Sequence, residues 1–252
     1  MVQRIAAAFI LFTRLPLWRL VSPPQESYSS AVVFWPLVGW LTGGLTALSM
    51  LAFAALVPWP TAVIMSLAVR LLLTGALHED GLADFFDAFG CGGDRERILA
   101  VMKDSHIGTY GVIGLTFHAL LLVSLLCSMP LELAAVAIFA ADPFCKLCAG
   151  QLVNFLPYAR PEGAKNKISY SRMSIGEFLL QLVFGVLPMI LLMRADASLG
   201  LSVVFPILTC TLLMSLMRRK IGGYTGDCCG AAFLLCELSM ILGIAILLKL
   251  NI

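Results

Sequence analysis

The chain has 252 residues, of which 60% are hydrophobic and only 13% are charged, and its formal net charge is +2. In soluble globular domains roughly a quarter of the residues are charged, so this composition excludes that class and indicates a membrane protein with several spans. The small net charge gives no reason to expect a nucleic-acid partner. No long linker divides the sequence, so residues 1–252 are predicted to form a single integral membrane catalytic domain.

The apolar runs predict an all-α polytopic membrane helix bundle of about seven transmembrane helices. Residues 3–20 carry three arginines beside an apolar face and are too short to span, which favours an N-terminal helix in the membrane interface. The first apolar run is also too short for a cleavable signal peptide and lacks a small-residue cleavage site. About 20 apolar residues cross the hydrocarbon core. Runs close to that length predict spans at residues 31–57, 61–77, 110–129, 131–155, 175–193, 199–217 and 227–250.

The basic residues collect in the loops at one end of these predicted spans. Thirteen Lys and Arg lie there, against only Arg194 and Lys249 at the other end. Because cytoplasmic loops are enriched in Lys and Arg, we predict a multi-pass protein of the cell inner membrane with a cytoplasmic N-terminus and an external C-terminus. The polar segment 78–111 then lies on the cytoplasmic face, and we expect the active site there.

An acidic motif opens that polar segment. If the second span continues as a helix past the interface, Asp80, Asp84 and Asp87 fall at i, i+4 and i+7 and share one face. Like charges at this spacing repel each other, and hard cations such as Mg²⁺ are bound by a few carboxylates plus substrate phosphates. A solvated helix end is the alternative, but no Lys or Arg lies between residues 78 and 93. The pattern therefore favours a Mg²⁺ cofactor.

Basic residues follow the acidic motif. Asp94 is predicted to cap a new helix, and Arg95, Arg97 and Lys103 on that helix could hold diphosphate oxygens. A surface helix beside anionic lipid headgroups would carry the same residues, so both interpretations stay open. Asp104 follows just before the chain re-enters the bilayer, and it is either a helix cap or a further ligand of metal or substrate.

A second polar cluster, residues 222–227, precedes the last predicted span on the same side of the membrane. Its glycines allow backbone N–H groups to approach an anion at a helix start. Asp227 is equally suited to be the N-cap of that helix. The sequence leaves these two roles open.

Three charged residues lie inside the predicted spans. Asp142 and Lys146 are one helical turn apart, so we predict that they neutralise each other. Arg70 either pairs with Asp142 or extends towards the membrane surface.

Taken together, these motifs resemble the cobalamin synthase family, the adenosylcobinamide-GDP ribazoletransferases. The resemblance covers almost the whole chain in order. It rests on FTRLP at residues 12–16, PLVG at 36–39, HEDGLAD at 78–84 with a further aspartate at 87, DRER at 94–97, MKDSHIGTYG at 102–111, YARPEG at 158–163 and GGYTGD at 222–227. His106 and Lys146 depart from the family pattern, which has Arg at these positions.

The resemblance implies a reaction in which a ribazole hydroxyl attacks the phosphate on the cobinamide side of a GDP bridge, and GMP leaves. This is the final assembly step of cobalamin. The substrates would be adenosylcobinamide-GDP and α-ribazole or its 5′-phosphate, and the partners the lipid bilayer and other corrinoid-assembly enzymes. By the same resemblance Asp227 and Asp104 complete or support the metal site formed by Asp80, Asp84 and Asp87. The candidates for binding substrate phosphate are Arg95, Arg97, Lys103, His106, Lys146 and Arg160.

The attacking hydroxyl must also lose a proton to a general base. An aspartate bound directly to Mg²⁺ is a poor base, because the cation lowers its pKa. This leaves Asp87, the acid furthest along the helix from the bilayer, or one of His78 and His106. The resemblance argues against His106. We therefore predict Asp87 ahead of His78 as the base, with Asp104 as a further candidate catalytic residue.

Two other functions fit part of the pattern. CDP-alcohol phosphotransferases of phospholipid synthesis also use a DG motif and Mg²⁺, but Asp84 stands where their motif has Arg and their later spaced aspartates are missing. A divalent-cation transporter would place its acids near mid-membrane on several spans. The acids of this chain collect at one face instead, so the ribazoletransferase remains the preferred prediction.

Overall fold

Helices form the architecture of residues 1–160 and 170–250, the part of the chain that this computed structural model describes. Lys165 and Lys167, two of the thirteen loop Lys and Arg counted above, lie outside the described residues. The α-helices of the described part are α1 Val2–Phe12, α2 Gln25–Ser29, α3 Trp35–Ala54, α4 Trp59–Thr74, α5 Leu77–Cys91, α6 Arg95–Val101, α7 Thr109–Cys127, α8 Leu131–Gly150, α9 Leu152–Phe155, α10 Ile175–Val186, α11 Met189–Ala195, α12 Val204–Ile221 and α13 Gly226–Leu250. The predicted all-α fold is confirmed.

The described residues contain six helical segments that are long and apolar enough to cross a membrane. They are Ala31–Ala54, Thr109–Cys127, Leu131–Phe155, Ile175–Ala195, Ala197–Ile221 and Gly226–Leu250. A seventh candidate consists of α4 and α5 together, which are bent by 92°. The 11 residues of α1 are too few to span. The prediction of a multi-pass membrane bundle with about seven spans is therefore confirmed.

The bend between α4 and α5 lies at Gly75 and Ala76, whose φ angles are 67° and 56°. These angles are in the left-handed region, which glycine adopts readily and alanine does not. The helix therefore breaks after Thr74, and the condition that the second span continues as one helix past the interface is not met. Asp80 and Asp84 nevertheless keep their helical spacing, because both lie on α5.

The helix at the centre of the bundle is α8, in which every residue from Ala140 to Gly150 is buried. It packs against α3, α10 and α13. A Cβ added to Gly39 or Gly43 of α3 would lie within 2.9 Å of Asp142 or its neighbour Pro143. These two glycines allow α3 to approach α8 closely enough to bury a polar contact.

Two ion pairs lie in the interior of this bundle. Lys146 pairs with Asp142, and the Lys146 Nζ also donates to the Thr42 hydroxyl at 2.7 Å. The predicted neutralisation of Lys146 by Asp142 is confirmed. Arg70 pairs instead with Glu237 at 2.5 Å, so the prediction of an Asp142 partner or of a surface position for Arg70 is wrong. Because 167 residues separate the second pair, no local sequence signal announces it.

The larger loops meet at one end of the bundle. Backbone hydrogen bonds join Ala159 to Tyr224 and Tyr224 to Pro157, which ties the loop after α9 to the loop before α13. Arg4 near the N-terminus pairs with Glu177 at the start of α10. Arg95 also donates to the backbone oxygens of Ile221 and Ala159, so the segments that carry Arg95, Arg160 and residues 218–220 meet at one end of the molecule, which we call the loop end.

Candidate active site

Two glycines let α5 pack tightly against the start of α13 at the loop end. A Cβ on Gly81 would lie 2.9 Å from the backbone oxygen of Asp227, and a Cβ on Gly230 would lie 3.2 Å from the backbone oxygen of His78. A larger residue at position 81 would push the helices apart. The close approach brings Asp227, at the first turn of α13, to the acidic face of α5.

Asp80, Asp84 and Asp227 form a carboxylate cluster at this contact. Burial, and then the charges of Asp227 and Asp80, raise the pKa of Asp84 to about 7. Arg160 donates from Nη2 to Oδ2 of Asp227 at 2.7 Å. Among the described residues this is the one ion pair of the cluster, so its acids outnumber its paired cations.

The carboxylate cluster offers the oxygen donors that Mg²⁺ prefers in proteins. Within residues 1–160 and 170–250, however, no three His, Cys, Asp or Glu side chains converge as a ready metal-binding group. Water and phosphate oxygens would have to complete the coordination of a cation here. The donor chemistry fits Mg²⁺, but the site is not a closed protein cage.

Asp87 lies on α5 but serves a different contact. Its Oδ2 accepts from the backbone N–H of Gly108 at 2.7 Å, and its Oδ1 accepts from the N–H of Gly111 at 2.8 Å. These amides belong to the first turn of α7, so the buried Asp87 carboxylate caps that helix. A carboxylate with both oxygens committed to amides gives no support to the predicted metal-ligand and general-base roles of Asp87.

Asp104 and His106 lie on the exposed loop before α7. The Nδ1 of His106 is 2.6 Å from Oδ1 of Asp104, and the His106 backbone N–H donates to the same oxygen at 3.1 Å. These hydrogen bonds lower the pKa of Asp104. The His106 side chain is 90% exposed. No hydrogen bond or ion pair among the described residues joins Asp104 or His106 to the carboxylate cluster.

Arg95 is one of the predicted phosphate-binding residues, but its guanidinium binds protein. It donates to the backbone oxygens of Ile221 at 2.9 Å and Ala159 at 2.7 Å, which fastens α6 to the two site loops. Asp94 accepts from the Arg97 N–H at 2.9 Å, so the predicted helix cap is confirmed. Arg97 itself is exposed.

The other predicted phosphate-binding cations differ in their positions. Lys146 is fully buried about one turn before the C-terminal end of α8, where it pairs with Asp142 and lies 4.4 Å from the centre of the Phe233 ring. These contacts occupy its ammonium group and give no support to a role in binding substrate phosphate. Lys103 is exposed on the loop after α6. Of the predicted set, only Arg160 is in direct contact with the carboxylate cluster.

A cavity of about 230 Å³ adjoins the carboxylate cluster. Asp80, Asp227 and Arg160 contribute to its wall, and so do Trp35 and His78. The wall therefore joins charged groups that suit phosphate to aromatic rings that suit a flat organic group.

The aromatic side of this cavity is a set of stacked rings that the sequence did not reveal. The Phe12 and Trp35 rings stack at 5.0 Å, and the Trp35 and His78 rings at 5.7 Å. Behind them Phe233, which is not part of the cavity wall, meets His78 edge to face at 4.9 Å. These residues come from α1, α3, α5 and α13. Motifs of neighbouring residues carry no signal for such a contact, although Phe12 does lie in one of the motifs that resemble the family.

Comparison with known proteins agrees with the order of these motifs. The family model for cobalamin-5-phosphate synthase matches residues 4–245. An adenosylcobinamide-GDP ribazoletransferase of Shewanella sp. (strain W3-18-1) is 36% identical over 231 residues, covering 90% of this chain and 87% of the relative. One from Ralstonia nicotianae (strain ATCC BAA-1114 / GMI1000) is 38% identical over 225 residues, covering 88% and 86%. No solved structure matches the chain. The chain belongs to the cobalamin-5-phosphate synthase family.

Proposed function

We propose that this protein is an adenosylcobinamide-GDP ribazoletransferase, the activity that its relatives are named for. It joins α-ribazole, or its 5′-phosphate, to adenosylcobinamide-GDP and releases GMP, and the product is cobalamin or cobalamin 5′-phosphate respectively. The observation that carries the proposal is the carboxylate cluster with Arg160, set beside a cavity that is partly aromatic.

The reaction is a displacement at a diphosphate. The ribazole hydroxyl oxygen forms a bond to the phosphorus on the cobinamide side, the bond from that phosphorus to the bridging oxygen breaks, and GMP departs with the bridging oxygen. Arg160 is suited to the diphosphate because guanidinium groups donate paired hydrogen bonds to phosphate oxygens. Its Nε has no hydrogen-bond partner among the described residues, which leaves a donor for substrate.

Mg²⁺ is the cofactor that we propose for the carboxylate cluster. Asp80, Asp84 and Asp227 would hold it, with substrate phosphates and water as the other ligands. Bound there, the cation would neutralise charge on the diphosphate and on the departing GMP. The excess of acids over paired cations supports this assignment.

The general base stays a prediction. Asp87 does not line the cavity, and both of its oxygens accept from amides at the start of α7. His78 does line the cavity, and its Nε2 has no hydrogen-bond partner within the described residues. This contrast favours His78 over Asp87, the reverse of the order expected from sequence.

We also propose that the loop end faces the cytoplasm at the inner membrane. The grouping of the basic loops at one end of the bundle supports this orientation. Association with other corrinoid-assembly enzymes stays a prediction.

One experiment tests the activity, the cofactor and the orientation together. Inverted and right-side-out membrane vesicles containing the protein receive adenosylcobinamide-GDP and α-ribazole, and GMP release is measured. We expect release from inverted vesicles with Mg²⁺, its loss with EDTA and its return on adding Mg²⁺. Intact right-side-out vesicles should be inactive until they are permeabilised.

Each part of the proposal fails on a separate result. No GMP release above vesicles that lack the protein, in either preparation, contradicts the activity. Release that resists EDTA contradicts the Mg²⁺ assignment. Release from intact right-side-out vesicles as fast as from inverted ones contradicts the cytoplasmic orientation.

A further inference from the structure

The cavity beside the carboxylate cluster has a feature that diphosphate chemistry does not use. The indole Nε1 of Trp35 is buried and has no hydrogen-bond partner among the described residues. Trp35 is only 1% exposed, and it lines the cavity. A buried N–H donor without a partner is costly and uncommon in folded proteins, so an acceptor from a ligand is the natural partner.

The surroundings of Trp35 define the shape and polarity of such a ligand. The rings of Phe12 and His78 stack with Trp35 in nearly parallel planes, at interplanar angles of 15° and 26°. Leu11 and Val32 add apolar wall to the same cavity. A flat and largely apolar group with one acceptor atom matches this side of the cavity.

We propose that the aromatic side of the cavity binds the benzimidazole base of the ribazole substrate, and that the Trp35 indole N–H donates to the free ring nitrogen of that base. The inference rests on the proposed function, because it assigns one of the two substrates of that reaction. With the base held there, the ribose lies towards Asp80 and Arg160, where the diphosphate would bind.

Guanine, a second flat base in the reaction, suits this side of the cavity less well. It carries several donors and acceptors on its edges, and burial without partners makes each of them unfavourable. A benzimidazole linked to ribose has a single free ring nitrogen and an otherwise apolar edge. The one unpartnered indole N–H therefore matches benzimidazole better than guanine.

The test compares Trp35→Phe with Trp40→Phe. Phenylalanine keeps an aromatic ring at position 35 but removes the N–H. The matched control Trp40 donates its own Nε1 to the backbone oxygen of Phe184 at 2.8 Å and does not line the cavity. Binding of α-ribazole to the purified protein is measured by calorimetry, and KM is measured for each substrate.

We expect Trp35→Phe to weaken α-ribazole binding and raise its KM about 3- to 10-fold, the effect of losing one neutral hydrogen bond. The KM for adenosylcobinamide-GDP should not change, and Trp40→Phe should change neither constant. An indole riboside, which lacks the acceptor nitrogen, should bind equally to the wild-type protein and to Trp35→Phe. That equality would separate loss of the hydrogen bond from a general disturbance of the cavity.

Three results would overturn the inference. The first is an unchanged affinity of Trp35→Phe for α-ribazole. The second is a raised KM of this variant for adenosylcobinamide-GDP and not for α-ribazole. The third is an equal loss of its affinity for α-ribazole and for the indole riboside. The proposed function is judged separately, by GMP release from the wild-type protein. If α-ribazole binding depends on Trp35 but no GMP is released, the inference stands and the proposed reaction fails.

Discussion

Two charged clusters of this molecule differ in how their charges are balanced. In the bundle interior, Asp142 pairs with Lys146 and Glu237 pairs with Arg70, and none of the four side chains is more than 5% exposed. At the loop end, the three acids of the carboxylate cluster share one ion pair within residues 1–160 and 170–250, the pair of Arg160 with Asp227. The interior cluster is neutral by itself, and the other is not.

This difference separates a structural cluster from a chemical one. A charge deep inside a membrane protein is very unfavourable unless a fixed partner neutralises it. Arg70 and Glu237 join α4 to α13, and Lys146 joins α8 to Thr42 of α3, so these groups are occupied by contacts within the protein. An excess of acids near the surface is unfavourable until a cation arrives from outside. We expect substitutions in the two clusters to give opposite phenotypes.

Asp84→Asn should produce the largest effect on turnover and should act on catalysis alone. We expect turnover to fall about 100-fold or more, because charge stabilisation by a bound cation lowers the activation barrier by several kcal/mol. Thermal unfolding in detergent should stay at the wild-type midpoint or rise, because the substitution relieves repulsion. Glu96→Gln, which removes an exposed acid of α6, is the control and should leave both properties unchanged. Wild-type turnover of Asp84→Asn at limiting Mg²⁺ would remove Asp84 from the metal site.

Lys146→Met should act on stability. It leaves Asp142 buried without a cation, which we expect to lower the free energy of unfolding by about 3–5 kcal/mol, measured by denaturant titration in detergent. The double variant Lys146→Met/Asp142→Asn removes the unpaired charge and should recover much of that loss. If Lys146→Met were as stable as the wild type yet inactive, the original assignment of Lys146 to substrate phosphate would be the better one.

Asp87→Asn should have the smallest effect, although Asp87 lies on the same helix as Asp84. The asparagine keeps one acceptor for the two amides of α7, so we expect a loss of about 1–3 kcal/mol in unfolding free energy. In GMP-release assays below the unfolding midpoint, turnover should change less than about 10-fold. A loss of turnover as large as that of Asp84→Asn, without a loss of stability, would restore Asp87 as metal ligand or base.

The parts of the fold that sequence could predict are those set by neighbouring residues. Apolar runs gave the spans, and the DRER motif gave the Asp94 cap, because each depends on contacts within a few residues. The bend before α5 was missed because Ala76 takes a left-handed φ that its residue type does not favour. The predicted helical spacing of Asp80 and Asp84 is nevertheless correct, because both acids lie on α5, beyond the bend.

The roles of several site residues could not be predicted because their contact partners are distant in sequence. Lys146 and Asp87 were predicted as site residues because they are charged. Their contacts in the structure, with Asp142 and with the amides of α7 respectively, indicate structural roles instead. Trp35 illustrates the converse, since one aromatic residue in an apolar run looks like ordinary packing. Its unpartnered N–H becomes visible only when four helices are assembled.

The long sequence separation of Arg70 and Glu237 has a consequence for biosynthesis. Arg70 belongs to α4, whereas its partner lies 167 residues later on α13. Chains emerge from the ribosome N-terminus first. Arg70 must therefore enter or wait at the membrane while its partner is still unmade, held in the meantime by water, lipid headgroups or the insertion machinery. Asp227 also lies on α13. The nascent chain therefore completes its interior ion pairs and its carboxylate cluster together, when α13 is inserted.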